Sequence, residues 1–166
     1  MAIPDRPVSG ALIEAEWGQE VHDRVFSPKA TLCHGTASTL TVTSSVQLDI
    51  STGNDDPGGW LDAANDRLVV PSGGDGLYDT FVRATSTSGV DGQSIRIYLL
   101  VNGTAFTTFQ SDCDTGIQIS ITGSAHIDLT AGDVITVRGQ KIGPGANPQV
   151  GLTHLSLIRT GDERGA

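Results

Sequence analysis

The chain has 166 residues, of which 37% are hydrophobic and only 17% are charged, and 21 are glycine. Its formal net charge is −9, and a basic patch that could bind nucleic acid or an anionic membrane is not expected in so acidic a chain. No stretch approaches the roughly 18 apolar residues that a spanning helix needs, and the N-terminus does not read as a signal peptide. We therefore expect one domain with a short appendage, made and kept in a cytoplasm or released by a route other than secretion.

The first predicted element is an N-terminal arm with an amphipathic helix, assigned to residues 1–30. Residues 1–9 are proline-rich and extended, and apolar residues recur at every fourth position between residues 10 and 26. A helix of about 17 residues is marginal alone in water, so it must pack on its own domain, on sister copies or on a larger assembly. We favour anchoring or oligomerisation, carried by Ile13, Trp17, Val21, Val25 and Phe26.

A linker over residues 27–35 and then a β-domain over residues 36–160 are predicted to follow. The alternating apolar residues in 36–50 predict one kinked strand. Later strand-like segments are separated by Gly, Asp, Ser and Asn, and Asn102-Gly103 is the strongest hairpin signal. No helical pattern lies between them, which favours an all-β, two-sheet antiparallel sandwich. Residues 161–166 are expected to fray.

The loop at residues 51–59 and the tryptophan after it are the candidate ligand-binding region. Asp55 and Asp56 are oxygen donors that could hold calcium, but a complete ligand set is not visible and acidic turns are more often simply solvated. Trp60 could stack on a sugar ring, although a tryptophan is more often part of the core. Further loops that could contact a ligand are residues 72–76 and 143–148.

Nothing in the sequence indicates catalysis, a cofactor or a metal. Cys33 and Cys113 form no CxxC motif, and two thiols are favoured over a disulfide because a cytoplasmic origin is expected. His34 follows Cys33, but no further zinc ligands stand at a recognisable spacing. No serine or cysteine lies in a nucleophile motif such as Gly-x-Ser-x-Gly, so we expect a protein that is not an enzyme.

From about Trp60 onward the chain resembles the C1q/TNF-like jelly-roll family. The matching segments, in order, are RLVVP at 67–71, GLYDTFV at 76–82, IRIYLLVNG at 95–103, IDLTAGDV at 127–134 and HLSLIR at 154–159. The resemblance implies a ten-strand, two-sheet jelly roll that assembles as a compact homotrimer. The low charge agrees with surface buried between copies, while the alternative is a monomer that is merely rich in threonine and serine.

Residues 9–26 are similar to the leading segments of virion structural proteins from tailed bacteriophages, in which short helices containing Trp-Gly precede fibre, minor-tail or capsid-decoration domains. Trp17-Gly18 is the matching dipeptide here. Together the two resemblances imply a homotrimeric virion protein, assembled in the host cytoplasm and docked to capsid or tail proteins by its N-terminal segment. The alternative is a carbohydrate- or receptor-binding module that recognises a host-surface glycan through its jelly-roll loops.

Overall fold

The structure is a computed structural model that describes residues 30–56, 58–86 and 91–161. Within these ranges the chain forms strands and one short 3-10 helix, Ala63–Asn65. The strands are β1 (Ala30–His34), β2 (Ala37–Thr39), β3 (Val46–Gln47), β4 (Thr52–Asp55), β5 (Leu61–Asp62), β6 (Arg67–Val69), β7 (Gly76–Ser86), β8 (Ser94–Val101), β9 (Thr104–Asp112), β10 (Ile119–Leu129), β11 (Val134–Ile142) and β12 (Gln149–Gly161). The all-β prediction is confirmed for the described residues.

The predicted N-terminal helix lies outside the part of the chain that the structure describes. The same holds for the proposed anchoring residues and for residues 162–166 of the predicted tail. The anchoring residues concerned are Ile13, Trp17, Val21, Val25 and Phe26. Their role therefore stays a prediction.

The strands form two antiparallel sheets that pack face to face. Sheet A has the order β10-β7-β12-β1-β4, with β2 also paired to β12. Sheet B has the order β5-β6-β11-β8-β9, with β3 also paired to β11. Between β7 and β12 every connection crosses from one sheet to the other, as in a jelly roll, except the β8–β9 hairpin within sheet B. The described residues contain twelve strands where ten are expected. The additional strands are among the short ones, β2 to β6, that precede β7.

Side-chain alternation on the long strands fills the space between the sheets. Every second residue of β7 and of β11 is buried, as expected for strands with one face on a core. The core is mostly aliphatic, and its two large aromatic rings, Trp60 and Tyr78, meet edge-on with centroids 5.2 Å apart. The Tyr78 hydroxyl donates a hydrogen bond to the Gly74 carbonyl at 2.7 Å, so this buried polar group is satisfied.

The sandwich begins earlier than the sequence predicts. Residues 27–35 were expected to be a linker, but β1 pairs with β12 on one side and with β4 on the other. Residues 36–50 form two short strands, one in each sheet, rather than one kinked strand. The alternation predicts burial only in part here, since Leu40, Leu48 and Ile50 are in the core but Val42 is 46% exposed.

Gly123 lies where edge strand β10 of sheet A meets edge strand β9 of sheet B. A Cβ atom at this position would overlap the ring of Phe109, which reaches across from β9. Phe109 packs against the buried core. Because glycine has no side chain, the Phe109 ring can fill the space where β9 and β10 bring the two sheets together.

The Asn102-Gly103 turn is confirmed as a hairpin turn between β8 and β9. Both residues have positive φ, 51° and 78°, as a type I′ turn requires. The Asn102 amide donates to Asp133 at 2.7 Å, and Asp133 also accepts from the Thr130 amide at 2.8 Å. Burial pushes the pKa of Asp133 upward, but hydrogen bonds from Thr130 and Asn102 outweigh it and leave this pKa lowered.

Candidate interaction face

The outer face of sheet A is formed by the alternate residues of β10, β7 and β12 that point away from the core. Strand register aligns these residues in rows that run across the sheet. In the order β10, β7, β12, three adjacent rows are Thr122, Arg83 and His154; Ser124, Phe81 and Ser156; and His126, Asp79 and Ile158. We call these residues, together with the other outward-pointing residues of the same strands, the outer face of sheet A.

The centre of the outer face of sheet A is concave and carries two exposed apolar side chains. Phe81 is 39% exposed and Ile158 is 52% exposed. They border a depression of about 250 Å³ that is also lined by Ser124, Ser156 and the paired Asp79 and His126. The small serines leave room that larger residues would fill. Neighbouring exposed apolar side chains beside a depression are typical of a contact surface.

Charged groups flank this apolar centre. His126 Nδ1 pairs with Asp79 Oδ1, and that oxygen is shielded from solvent. On the other side, the ring of His154 meets the Phe81 ring edge-on with centroids 5.2 Å apart. Burial, and then the nearby Arg83 guanidinium, lower the pKa of His154.

The outer face of sheet B differs, because its polar side chains already bond to one another. Arg96 donates two hydrogen bonds to the Gln110 side-chain oxygen, at 3.1 and 2.9 Å. The Tyr98 hydroxyl donates to the Gln140 side-chain oxygen at 2.7 Å. The Arg138 guanidinium donates to the Ser45 carbonyl at 2.7 Å. These contacts give the middle of sheet B a polar outer surface, while Phe106 in its edge strand β9 is 47% exposed.

The residues predicted to bind a ligand are placed differently by the structure. Trp60 is 5% exposed and lies in the core, the more common place for a tryptophan, so it offers no stacking surface for a sugar. The Asp56 carboxylate accepts hydrogen bonds from the Trp60 and Leu61 amides at 2.8 and 2.9 Å, and thereby caps the turn before β5. Asp55 ends β4, within the segment predicted as loop, and its side chain lies outside the described part of the structure.

The loop at residues 143–148 is held in place by two buried side chains. Lys141 is 3% exposed, and its ammonium donates to the Gly145 carbonyl. Gln93 is 2% exposed and donates to the carbonyls of Pro144 and Ala146 at 2.7 and 2.8 Å. Sequence reasoning missed this arrangement, although a lysine at an inward position of an alternating strand was a signal for it.

The two cysteines are buried and neither forms a disulfide. Burial, and then the charge of Asp56, raise the pKa of the Cys33 thiol to about 11, so this thiol is protonated at neutral pH. Among the described residues, no group of three or more His, Cys, Asp or Glu is placed to hold a metal ion. In the same ranges, no helix is long and apolar enough to cross a membrane.

Solved structures with the same architecture cover most of the chain. The globular domain of zebrafish complement 1qA protein matches with a TM-score of 0.60 and 12% identity, over 81% of this chain and 99% of that one. Eiger TNF from S. frugiperda matches with a TM-score of 0.53 and 17% identity, over 82% and 94%. Murine APRIL matches with a TM-score of 0.54 and 15% identity, over 79% and 99%. No family model and no curated protein matches the chain.

These similarities concern the fold, because the identities are low. They agree with the resemblance seen at residues 67–71, 76–82, 95–103, 127–134 and 154–159. The described residues therefore adopt a C1q/TNF-type jelly roll: two antiparallel sheets around one core. What such a fold does depends on its surfaces, and function must be argued from those.

Proposed function

We propose that this chain is a homotrimeric C1q/TNF-like module with a structural and binding role on a tailed-bacteriophage particle, as a decoration, head-fibre or minor tail protein. The observation that carries the trimer is the outer face of sheet A, where Phe81 and Ile158 stay exposed beside an apolar depression. The virion location is supported by the resemblance at residues 9–26, which lie outside the described residues. The proposal assigns the chain no catalytic role and no cofactor.

A closed ring of three copies joins two different surfaces of the protomer, so the outer face of sheet A needs a complementary surface. The edge formed by β9 and β10 provides exposed apolar groups for it. Phe106 in β9 is 47% exposed, and Ile117 just before β10 is 55% exposed. We place this edge of one copy against the outer face of sheet A of the next copy.

The energies are compatible with such a ring. Complete burial of a Phe or Ile side chain contributes roughly 1.5–3 kcal/mol, and residues already half-buried contribute less. Each of three contacts would cover Phe81 and Ile158 together with their counterparts Phe106 and Ile117. Ordering and loss of translational freedom oppose association, so several such residues per contact are needed.

Deletion of residues 1–27 tests the docking part of the proposal. The deletion removes the predicted anchor and leaves every described strand, so the truncated protein should remain folded and trimeric. It should no longer bind phage particles, because three linked anchors are lost together. A matched deletion of residues 162–166 should bind particles as the full chain does. Full occupancy of particles by the protein lacking residues 1–27 would show that docking does not depend on this segment.

The second candidate function is recognition of a carbohydrate or receptor through the loops. The loop at residues 143–148 favours this function. It is largely exposed, and the buried side chains of Lys141 and Gln93 fix its backbone by hydrogen bonds to its carbonyls. A loop fixed before binding loses less entropy when a ligand arrives. Glycan-array binding that disappears in Asn147→Ala, with the fold retained, would support this function. Absence of binding to any glycan by the wild-type protein would oppose it.

A further inference from the structure

The loop between β11 and β12 turns its backbone carbonyls toward the interior. Gln93 Nε2 donates hydrogen bonds to the carbonyls of Pro144 and Ala146 at 2.7 and 2.8 Å. Lys141 Nζ donates to the carbonyl between them, that of Gly145. Both donors are buried. Three successive carbonyl groups of this loop therefore point inward.

The amides of the same three peptide units point the other way. In a planar trans peptide the N–H lies opposite the C=O of the preceding residue, and no cis peptide bond occurs in the described part of the chain. The outward amides are those of Gly145, Ala146 and Asn147, which are all exposed residues. Gly145 has a φ of 92°, which glycine adopts without strain. Three consecutive N–H groups of this loop therefore face solvent.

These three amides and the Asn147 side chain have no hydrogen-bond partner among the described residues. By contrast, the Gly132 amide in the turn before β11 donates to the Val70 carbonyl at 2.8 Å. The Asn147 side-chain amide provides two further donor hydrogens and an acceptor oxygen. A set of neighbouring polar groups is thus available to a ligand, on a backbone that buried side chains already fix.

The turns beside this loop carry negative charge. A Cβ atom on Gly143 would lie 2.4 Å from the Gly92 carbonyl oxygen, so this loop contacts the turn before β8. Asp91 precedes Gly92, and the segment that hydrogen-bonds to the Asp91 carboxylate carries Asp112 and Asp114. The ammonium beneath the loop, by contrast, is buried. An anionic ligand is therefore disfavoured at this place, whereas an uncharged ligand with several acceptor atoms suits the outward amides.

We infer that the outward amides of Gly145, Ala146 and Asn147, together with the Asn147 side chain, bind an uncharged glycan. The inference rests on the second candidate function, recognition of a carbohydrate through the loops, and specifies its site and its class of sugar. Hydroxyl and acetamido oxygens of the sugar accept hydrogen bonds from the amides, and a hydroxyl also donates to the Asn147 side-chain oxygen. The loop is fixed before binding and loses little entropy. A single site of this size binds weakly, and linked copies raise the overall affinity.

The experiment records proton–nitrogen correlation NMR spectra of the full chain during titration with uncharged sugars: N-acetylglucosamine, N-acetylgalactosamine, galactose and glucose. Glucuronate is the anionic comparison. We expect at least one uncharged sugar to shift the amide signals of Gly145, Ala146 and Asn147 in a saturable way and to slow their hydrogen exchange. The Gly132 amide is the matched control and should not respond. Glucuronate should bind more weakly than the best uncharged sugar, because aspartates lie beside the loop.

Variants test the residues of the site. Asn147→Ala should weaken binding by up to about tenfold, because the hydrogen bonds of its side chain are lost. Lys141→Met should also weaken binding, because the Gly145 carbonyl is no longer held inward. If this variant does not fold, Gln93→Leu tests the same point. Asn65→Ala, the matched change in another exposed turn, should bind as the wild type does.

The outcomes separate this site from the second candidate function. Binding of no sugar at all overturns that function. Binding that shifts only amides elsewhere, such as those of residues 72–76, or that requires an anionic sugar, overturns this site and leaves carbohydrate recognition standing. Amides of residues 145–147 that exchange as slowly as that of Gly132 in the free protein also overturn the site, since they would then have partners. Unchanged affinity in Asn147→Ala overturns the role given to this side chain.

Discussion

The outer faces of the two sheets differ in how their side chains are satisfied. On sheet B, polar side chains satisfy one another across the strands, as Arg96 does with Gln110 and Tyr98 does with Gln140. On sheet A, Phe81 and Ile158 stay exposed next to small serines. A face whose polar groups are internally bonded is complete in water, whereas an apolar depression gains from being covered. This contrast is the reason why we place sheet A in the proposed contact between copies.

Phe81→Glu should have the largest effect, because it places a carboxylate in the depression. Burying this charge without a partner costs several kcal/mol, so the trimer dissociation constant should rise roughly 100-fold or more. The protomer itself should stay folded, since Phe81 lies outside the core. Mass in solution gives the readout. Thr136→Glu, at an outward position of β11 in the middle of sheet B, is the matched control, and equal loss of trimer in both variants would remove the distinction between the faces.

Gly123→Val tests the seam that joins the two sheets. The branched side chain would collide with the Phe109 ring, and overpacking of this kind costs about 1–3 kcal/mol in the free energy of unfolding. Urea denaturation measures the change. Thr136→Val, at an outward position of β11 away from this seam, should change stability little. Wild-type stability in Gly123→Val would mean that Phe109 does not close the sandwich at this seam.

Tyr98→Phe removes a polar contact from sheet B alone. The lost hydrogen bond to Gln140 should lower the free energy of unfolding by about 0.5–1.5 kcal/mol. The mass in solution should not change, because only the edge strand β9 of sheet B is assigned to the contact between copies and Tyr98 lies in β8. Dissociation of the trimer in Tyr98→Phe, with the protomer still folded, would extend the contact to β8.

Asp133→Asn should have the smallest effect of these changes. It tests how the stability of the folded protomer depends on acidic pH. The pKa of Asp133 is lowered in the folded state, so its contribution to stability is present above the unfolded value of about 3.9 and is lost as the pH falls through the folded value. The variant should therefore lose less stability below about pH 4 than the wild type does. Thermal unfolding against pH measures this, and an identical acid limb in both proteins would contradict it.

Local signals in the sequence predicted much of the fold. The Asn102-Gly103 turn was identified correctly because its conformation depends on two adjacent residues. By contrast, β1 was not predicted, since five residues acquire their strand character only by pairing with β12, far along the chain. Whether the Trp60 side chain is buried or exposed also depends on tertiary contacts, because a tryptophan beside acidic turn residues suits a ligand site as well as a core.

The interaction face could not be predicted from alternation alone. In β7 both rows of side chains contain apolar residues: Tyr78 and Val82 on one side, Leu77 and Phe81 on the other. Period-two alternation separates the rows but does not tell which one faces the second sheet. The hydrogen-bond partners of Lys141 could not be predicted either. They are backbone carbonyls of a loop, which leave no mark in the sequence as an acidic side chain would.

The mass of the full chain in solution at neutral pH tests the central claim most directly. One chain has a mass of 17.3 kDa, so a trimer closed through the outer face of sheet A should have three times that mass, about 52 kDa. Sedimentation equilibrium measures this without assumptions about shape. A mass of 17.3 kDa that persists at the highest attainable concentration would contradict the account.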